Sequence, residues 1–192
     1  MTNLLLLIGA GLAALEPPKL IEGNAESAVR VVIYEDLQCS DCAAFRKMLD
    51  EKLLPKYGGK VAFEHRDFPL AKHSWARRAA IAGRHFQSIS PEVSFAWRRE
   101  TMARLKSIKA DSFEAWVREF AANHKQDAGK AIAALADAGL AAVVEADFQE
   151  GVARGIARTP TALVNGEPFI ETFTAEEISQ GIERALKENG IQ

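Results

Sequence analysis

The sequence predicts an α/β protein split by a large all-helical middle, and three observations carry that prediction. A β-branched run, Val29 to Leu37, ends at Cys39-Ser40-Asp41-Cys42 and gives way to helical periodicity. A long alanine-rich stretch, from about Leu70 to Ile156, then repeats at 3.6 residues without a convincing strand. Strand character returns at Thr161 to Val164 and Glu167 to Thr172, around Asn165-Gly166, the strongest short signal for a two-residue hairpin.

Taken in order, the elements are justified by local chemistry. Val29 to Leu37 is long and apolar enough for a strand buried on both faces. Phe45, Met48, Leu49 and Leu53 then form one apolar stripe of a helix, which Pro55 and Gly58-Gly59 are expected to end. Val61 to Phe68 is a second strand, so this unit is βαβ and its strands should be parallel. Phe68 and Leu70 should pack, with Pro69 starting the next helix. His73 is expected to play a structural part there, since nothing in the sequence puts it beside the sulfurs. Within the helical middle, Ser90-Pro91 and Asp111-Ser112 read as helix starts, and Trp75, Trp97 and Trp116 as core. A last helix opens on a capping box, Thr174 with Glu177, and buries Ile178, Ile182, Ala185 and Leu186 before Gly190.

Composition bounds the function. Of 192 residues, 48% are hydrophobic and 26% charged, which excludes a disordered or fibrous chain. Lysine and arginine total 24 against 26 acidic residues, so no basic surplus exists to attract nucleic acid. Two cysteines exclude a disulfide-rich scaffold. The uncharged run from Leu4 to Leu15 is too short to span a bilayer and suits the apolar core of an export signal, although Met1-Thr2-Asn3 supplies no basic residue ahead of it. Residues 1–15 are therefore expected to be a signal-like segment, 16–192 a single domain, and the location extracytoplasmic, cleaved or tethered.

The cysteine spacing carries the chemistry. A helix N-terminus has unpaired N–H groups and a partial positive charge, so a thiolate at Cys39 is stabilised and its pKa lowered. Cys42 lies one turn inside on the same face, within bridging distance. Cys39 then attacks or is attacked, and Cys42 resolves the mixed disulfide. Other readings exist: a zinc site would need more ligands than the chain pairs up, a four-residue disulfide loop removes little chain entropy, and two inert thiols need no chemistry. Neither a metal nor a cofactor is implied. The second half of the site is Arg158-Thr159-Pro160-Thr161, where a proline before a strand suits a cis bond and would expose the Thr159 backbone to an incoming peptide.

Four stretches in order resemble the DsbA-like branch of the thioredoxin superfamily: residues 22–29, Tyr34 to Cys42, Phe63 to Leu70 with His73 and Ala76, and Gly155 to Thr161 with Val164-Asn165-Gly166. The resemblance spans roughly residues 19–189. It implies a thioredoxin-like fold with a large all-helical insertion at about 70–156, and thiol–disulfide exchange on protein substrates. It also implies reoxidation by a membrane quinone-linked partner. Three positions depart from the family pattern. Ser40-Asp41 fills the Cys pair, where an acid opposes the helix dipole. Ile33 stands where many relatives carry a buried acid, leaving that role vacant or passing it to Glu35 or Asp36. Leu37 replaces the usual aromatic. The expected activity is dithiol oxidation through Cys39 and Cys42, tuned by Ser40 and Asp41, with Thr159 and Pro160 binding substrate. The alternatives are a reductase or isomerase, and a non-catalytic peptide-binding or chaperone module.

Overall fold

The computed structural model describes residues 19–191; the apolar segment at residues 4–15 lies outside them. Five strands form one mixed sheet: β1 (Leu20–Gly23), β2 (Arg30–Glu35), β3 (Ala62–Asp67), β4 (Thr161–Val164) and β5 (Glu167–Ile170). Their spatial order is β1-β3-β2-β4-β5. β2 and β3 are parallel, with Ile33 opposite His65, whereas β1–β3, β2–β4 and β4–β5 are antiparallel. Asn165 and Gly166 both take positive φ, 45° and 99°, which closes β4 and β5 in a tight hairpin.

β2 leads into α1 (Ser40–Met48), whose N-cap is Cys39. A π-helical turn (Leu49–Leu53) and α2 (Leu54–Tyr57) continue it. Pro55 therefore does not end this helix, as periodicity had led one to expect. Its ring would meet the Glu51 carbonyl in a regular α-helix, and the wider turn just before it, with Leu54 N–H bonded to Leu49 O, makes room. Between β3 and β4 the chain is helical among the described residues: α3 (Ala76–Ile89), α4 (Pro91–Ala103), α5 (Phe113–Asn123), α6 (Ala128–Ala134) and α7 (Ala138–Ala153). Pro69 starts no helix; Phe68 is buried and Leu70 half-buried, but the chain turns until Ala76. α8 (Ala175–Glu188) opens on the Thr174–Glu177 capping box and buries Ile178, Ile182, Ala185 and Leu186.

Among the described residues two large apolar cores result, with a small cluster of Ala80, Ile81 and Val144 besides. One lies on a face of the sheet, where Val31, Ile33 and Phe63 meet Phe45, Leu49 and Leu53 from the α1 segment and Ile178 and Ile182 from α8. The other fills the helical insertion. There Trp97 stacks on Trp116 at 5.8 Å, its Nε1–H donates to Ala79 O at 2.9 Å, and the Trp116 Nε1–H donates to Thr101 Oγ1 at 3.0 Å. Burying an apolar side chain of such size contributes about 1.5–3 kcal/mol. α1 belongs to both cores: its first turn, with Cys39 and Cys42, packs into the insertion's cluster.

Charge also joins the insertion to the sheet. Arg98 of α4, fully buried, donates to Glu35 of β2 at 2.8 Å and to Asp67 of β3 at 2.6 Å. Arg84 of α3 donates to Asp67 and to Asp147 of α7. His65 sits between Glu35 (2.6 Å) and Glu22 of β1 (3.1 Å). Among the described residues no helix is long and apolar enough to cross a membrane.

Candidate active site

The site forms where β2, α1 and the loop before β4 meet. β2 ends at Glu35, and the Asp36–Gln38 turn delivers Cys39 to the N-cap of α1 in extended conformation, with no side chain capping the helix. The Cys39 sulfur therefore occupies the place that a capping oxygen would fill, beside the free N–H groups of the first turn. Cys39 retains 7% exposure and is more enclosed than the tip of a helix suggests; Cys42 is fully buried, and both are free.

The two sulfurs titrate in opposite directions. A hydrogen bond from Cys42 is the main influence lowering Cys39, followed by the backbone N–H groups of Cys42 and Asp41 and by Thr159. These outweigh burial and bring the Cys39 pKa down to about 5. Burial, and then the neighbouring Cys39 thiolate and the Glu35 carboxylate, push Cys42 well above the ordinary thiol range, although the Asp36 N–H donates to its sulfur at 3.4 Å. One thiol is ready to react at neutral pH and the other is held in reserve.

The opposite wall is the loop before β4. The Thr159–Pro160 peptide bond is cis, and in the thiol form Cys39 Sγ donates to Thr159 O at 3.4 Å. Thr159 Oγ1 is buried without a hydrogen-bond partner of good geometry, yet it stands close enough to Cys39 to help lower its pKa. Ser40 and Asp41 are exposed on the first turn of α1. Asp41 contributes to the sulfur through its backbone N–H, and its carboxylate faces the surface.

His73 enters a site that the sequence did not assign to it. Its Nδ1 lies 2.8 Å from the buried Asp36 carboxylate, which also accepts the N–H groups of Gln38 and Leu70 at 2.7 Å each. With Nδ1–H donating to Asp36, Nε2 is the basic nitrogen of a ring that lines the same cavity as Cys39. That cavity, about 380 Å³, lies between α1 and the insertion. A larger one of about 560 Å³ opens on the other side of the Thr159 loop, over Leu163 and Ile170, and reaches neither cysteine. The sequence cues for His73 were its place just after Phe68-Pro69-Leu70 and within one of the resembling stretches; its bond to Asp36 spans 37 positions and has no local signature.

Sheet order, insertion and paired cysteines together define a thioredoxin-like protein of DsbA-like architecture. The family model described as thioredoxin matches residues 16–184, and the chain belongs to that family. Three solved structures illustrate the fold. Alpha-DsbA1 of Wolbachia pipientis is 17% identical, with 90% of this chain covering 92% of that one at a TM-score of 0.79. BdbD of Bacillus subtilis is 21% identical, with 88% covering 93% at 0.80. The thiol-disulfide exchange protein alpha-DsbA2 of Wolbachia pipientis is 16% identical, with 86% covering 86% at 0.74. No curated protein matches the chain.

Proposed function

We propose that this chain is a protein thiol–disulfide oxidoreductase that oxidises substrate dithiols. The observation that carries the proposal is the asymmetry of the pair: Cys39 at the helix N-cap beside Thr159, with its pKa near 5, and Cys42 one turn deeper and pushed the other way. A disulfide oxidises strongly when its reduced form is stabilised, and the stabilised Cys39 thiolate does that.

The electron count closes in two steps. A substrate thiolate attacks Cys39 Sγ of the Cys39–Cys42 disulfide; the new bond joins substrate to Cys39, and Cys42 leaves and takes up a proton. A second substrate thiolate then attacks the first substrate sulfur, Cys39 leaves as thiolate, and the substrate has lost two electrons to the cysteine pair. His73, which lines the same cavity as Cys39, would accept a substrate thiol proton at Nε2. A membrane quinone-linked oxidase would return the pair to the disulfide, which suits an extracytoplasmic protein exported by residues 1–15. The Thr159 main chain would pair with the substrate backbone, and Pro160 would hold that edge in position.

Asp41 supports a second reading. A carboxylate this close to the nucleophile in sequence would work against the thiolate and favour a reductase or isomerase. Equilibration with glutathione redox buffers, alongside dithiol-oxidation and insulin-reduction assays on wild type and Cys39→Ser, decides. An oxidising potential with Cys39-dependent dithiol oxidation supports the first reading, and a reducing potential supports the second. Peptide binding unaffected by Cys39→Ser, without exchange, would overturn both.

A further inference from the structure

The cavity beside Cys39 carries a charge unlike the rest of the chain. Overall, 24 basic residues face 26 acidic ones. Around this opening stand Lys72, from the β3–α3 loop, and Lys106 and Lys109, from the α4–α5 loop. Asp41 is the one acidic side chain that lines it. Elsewhere most arginines are paired, Arg77 with Glu145 and Arg104 with Glu119 among them. Like most lysines here, these three form no ion pair among the described residues, and what sets them apart is their gathering at one opening; Lys109 Nζ donates to the Lys106 carbonyl, at 3.2 Å. Three exposed ammonium groups make this opening locally positive, which draws in a ligand of opposite charge. The inner wall is apolar, with Trp75 and Ile108 both nearly buried. The Lys72-bearing loop is also held in place: the Trp75 N–H donates to Gln38 Oε1 at 2.8 Å, which ties that loop to the residue before Cys39.

We propose that this cavity selects client polypeptides in which acidic residues, with an apolar side chain among them, flank the reacting cysteine. The client's sulfur would meet Cys39, its carboxylates would lie among Lys72, Lys106 and Lys109, and its apolar side chain would rest on Trp75 and Ile108. The proposal rests on the reading of Cys39 as the exchanging thiol. It goes beyond that reading in naming which clients the site prefers, and it places the selecting surface on the helical insertion. Charge complementarity of this kind acts chiefly on encounter rate and is screened by salt.

The test uses the full chain with short cysteine peptides flanked by glutamate, glutamine or lysine around one leucine. Because acidic flanks raise a peptide thiol's own pKa, each peptide's oxidation rate is divided by its rate with neutral hydroxyethyl disulfide. A parallel arm measures binding of the matching serine peptides, which cannot exchange, by fluorescence anisotropy. The glutamate peptides should be favoured over the lysine peptides by about tenfold at low ionic strength in both arms. That ratio should collapse towards one at high salt and in Lys72→Gln/Lys106→Gln/Lys109→Gln. Equal rates for all peptides, or a glutamate preference that survives in the triple variant, would overturn the proposal. So would a lysine-dependent preference for glutathione over the acidic peptide, which would assign the cavity to a small thiol. Lysine-dependent binding of the glutamate–serine peptide without exchange of any cysteine peptide would instead overturn the oxidoreductase reading and leave the cavity's selectivity standing.

Discussion

Cys39 Sγ and the carbonyl oxygen of Thr159 lie 3.4 Å apart across 120 positions of chain. A thiol can donate to that oxygen and a thiolate cannot, so the contact changes character as Cys39 ionises. Once Cys39 is charged, the Thr159 carbonyl loses that donor, and under the proposed function it would accept a main-chain N–H of the client instead.

The first expectation concerns reactivity. Thiolate absorbance in the reduced protein should rise with a midpoint near pH 5 and be lost in Cys39→Ser. Alkylation at neutral pH should label Cys39 and spare Cys42, whose pKa is raised by burial and by the neighbouring thiolate. Faster labelling of Cys42 would reverse the assigned roles.

Thr159→Val tests the buried hydroxyl. Removing a donor that helps hold the thiolate should raise the Cys39 pKa. A change of one unit would lower the reduction potential by about 30 mV, read from glutathione equilibration. Thr159→Ser keeps the hydroxyl and should stay near wild type. If both variants shift alike, packing rather than the hydroxyl is responsible.

Asp41→His should act in the opposite sense. Exchanging a carboxylate for a group that can carry positive charge, while keeping the backbone N–H that serves Cys39, should lower the thiolate pKa and raise the potential. Exposure at the helix tip limits this to less than about one pKa unit, and added salt should shrink it. An unchanged pKa and potential would mean that the side chain lies too far out in solvent to matter.

The buried charges make stability depend on pH, best measured in Cys39→Ser/Cys42→Ser to remove thiol titration. Burial alone would raise Glu22, Glu35 and Asp67, but His65 and Arg46, His65 and Arg98, and Arg84 and Arg98 respectively hold them low. Their contribution is complete above the ordinary carboxylate values of 3.8 to 4.5 and is lost as pH falls through the depressed ones. His65, which burial would lower, is raised by Glu35 and Glu22, so its share is complete below 6.5 and fades as pH rises through its raised value. The melting temperature should be highest between about pH 4.5 and somewhat above 6.5. Arg98→Met takes one of two cationic partners from each of Glu35, which keeps His65, and Asp67, which keeps Arg84, and should cost about 3 kcal/mol at pH 7, and less in acid. A flat cost across pH would show that packing, not charge, is what Arg98 supplies.

What could be read from the sequence was what neighbours in the chain decide. The strand that ends at Cys39, the Asn165-Gly166 turn, the Thr174–Glu177 box and the stripe through Phe45 and Leu53 are all local patterns. β1 is only four residues long and alternates too briefly to stand out. Arg98 and Asp67 look like surface residues because patterning sends charge outward, and nothing local pairs them with Glu35; their meeting from three elements makes them core. Asp36 stood out only as one of two candidates for the missing acid's role, and its pairing with His73 did not show. Each needs the other, and the chain between them runs out through α1 and α2 and back along β3 before bringing them together.

The π-helical turn at Leu49–Leu53 sets the phase of everything before it. One residue more than a regular turn needs is wound into the helix there, and one residue amounts to about 100° of rotation. Deleting a single position in that segment would restore unbroken α-helical winding and leave Pro55 to clash. It would also swing Cys39 and Cys42 a quarter-turn or more away from Thr159, relative to the Leu53–Tyr57 end anchored on the sheet. Length variation should accordingly be tolerated in the loops of the insertion and excluded from this one stretch, where a gap of one residue changes which way the sulfurs face.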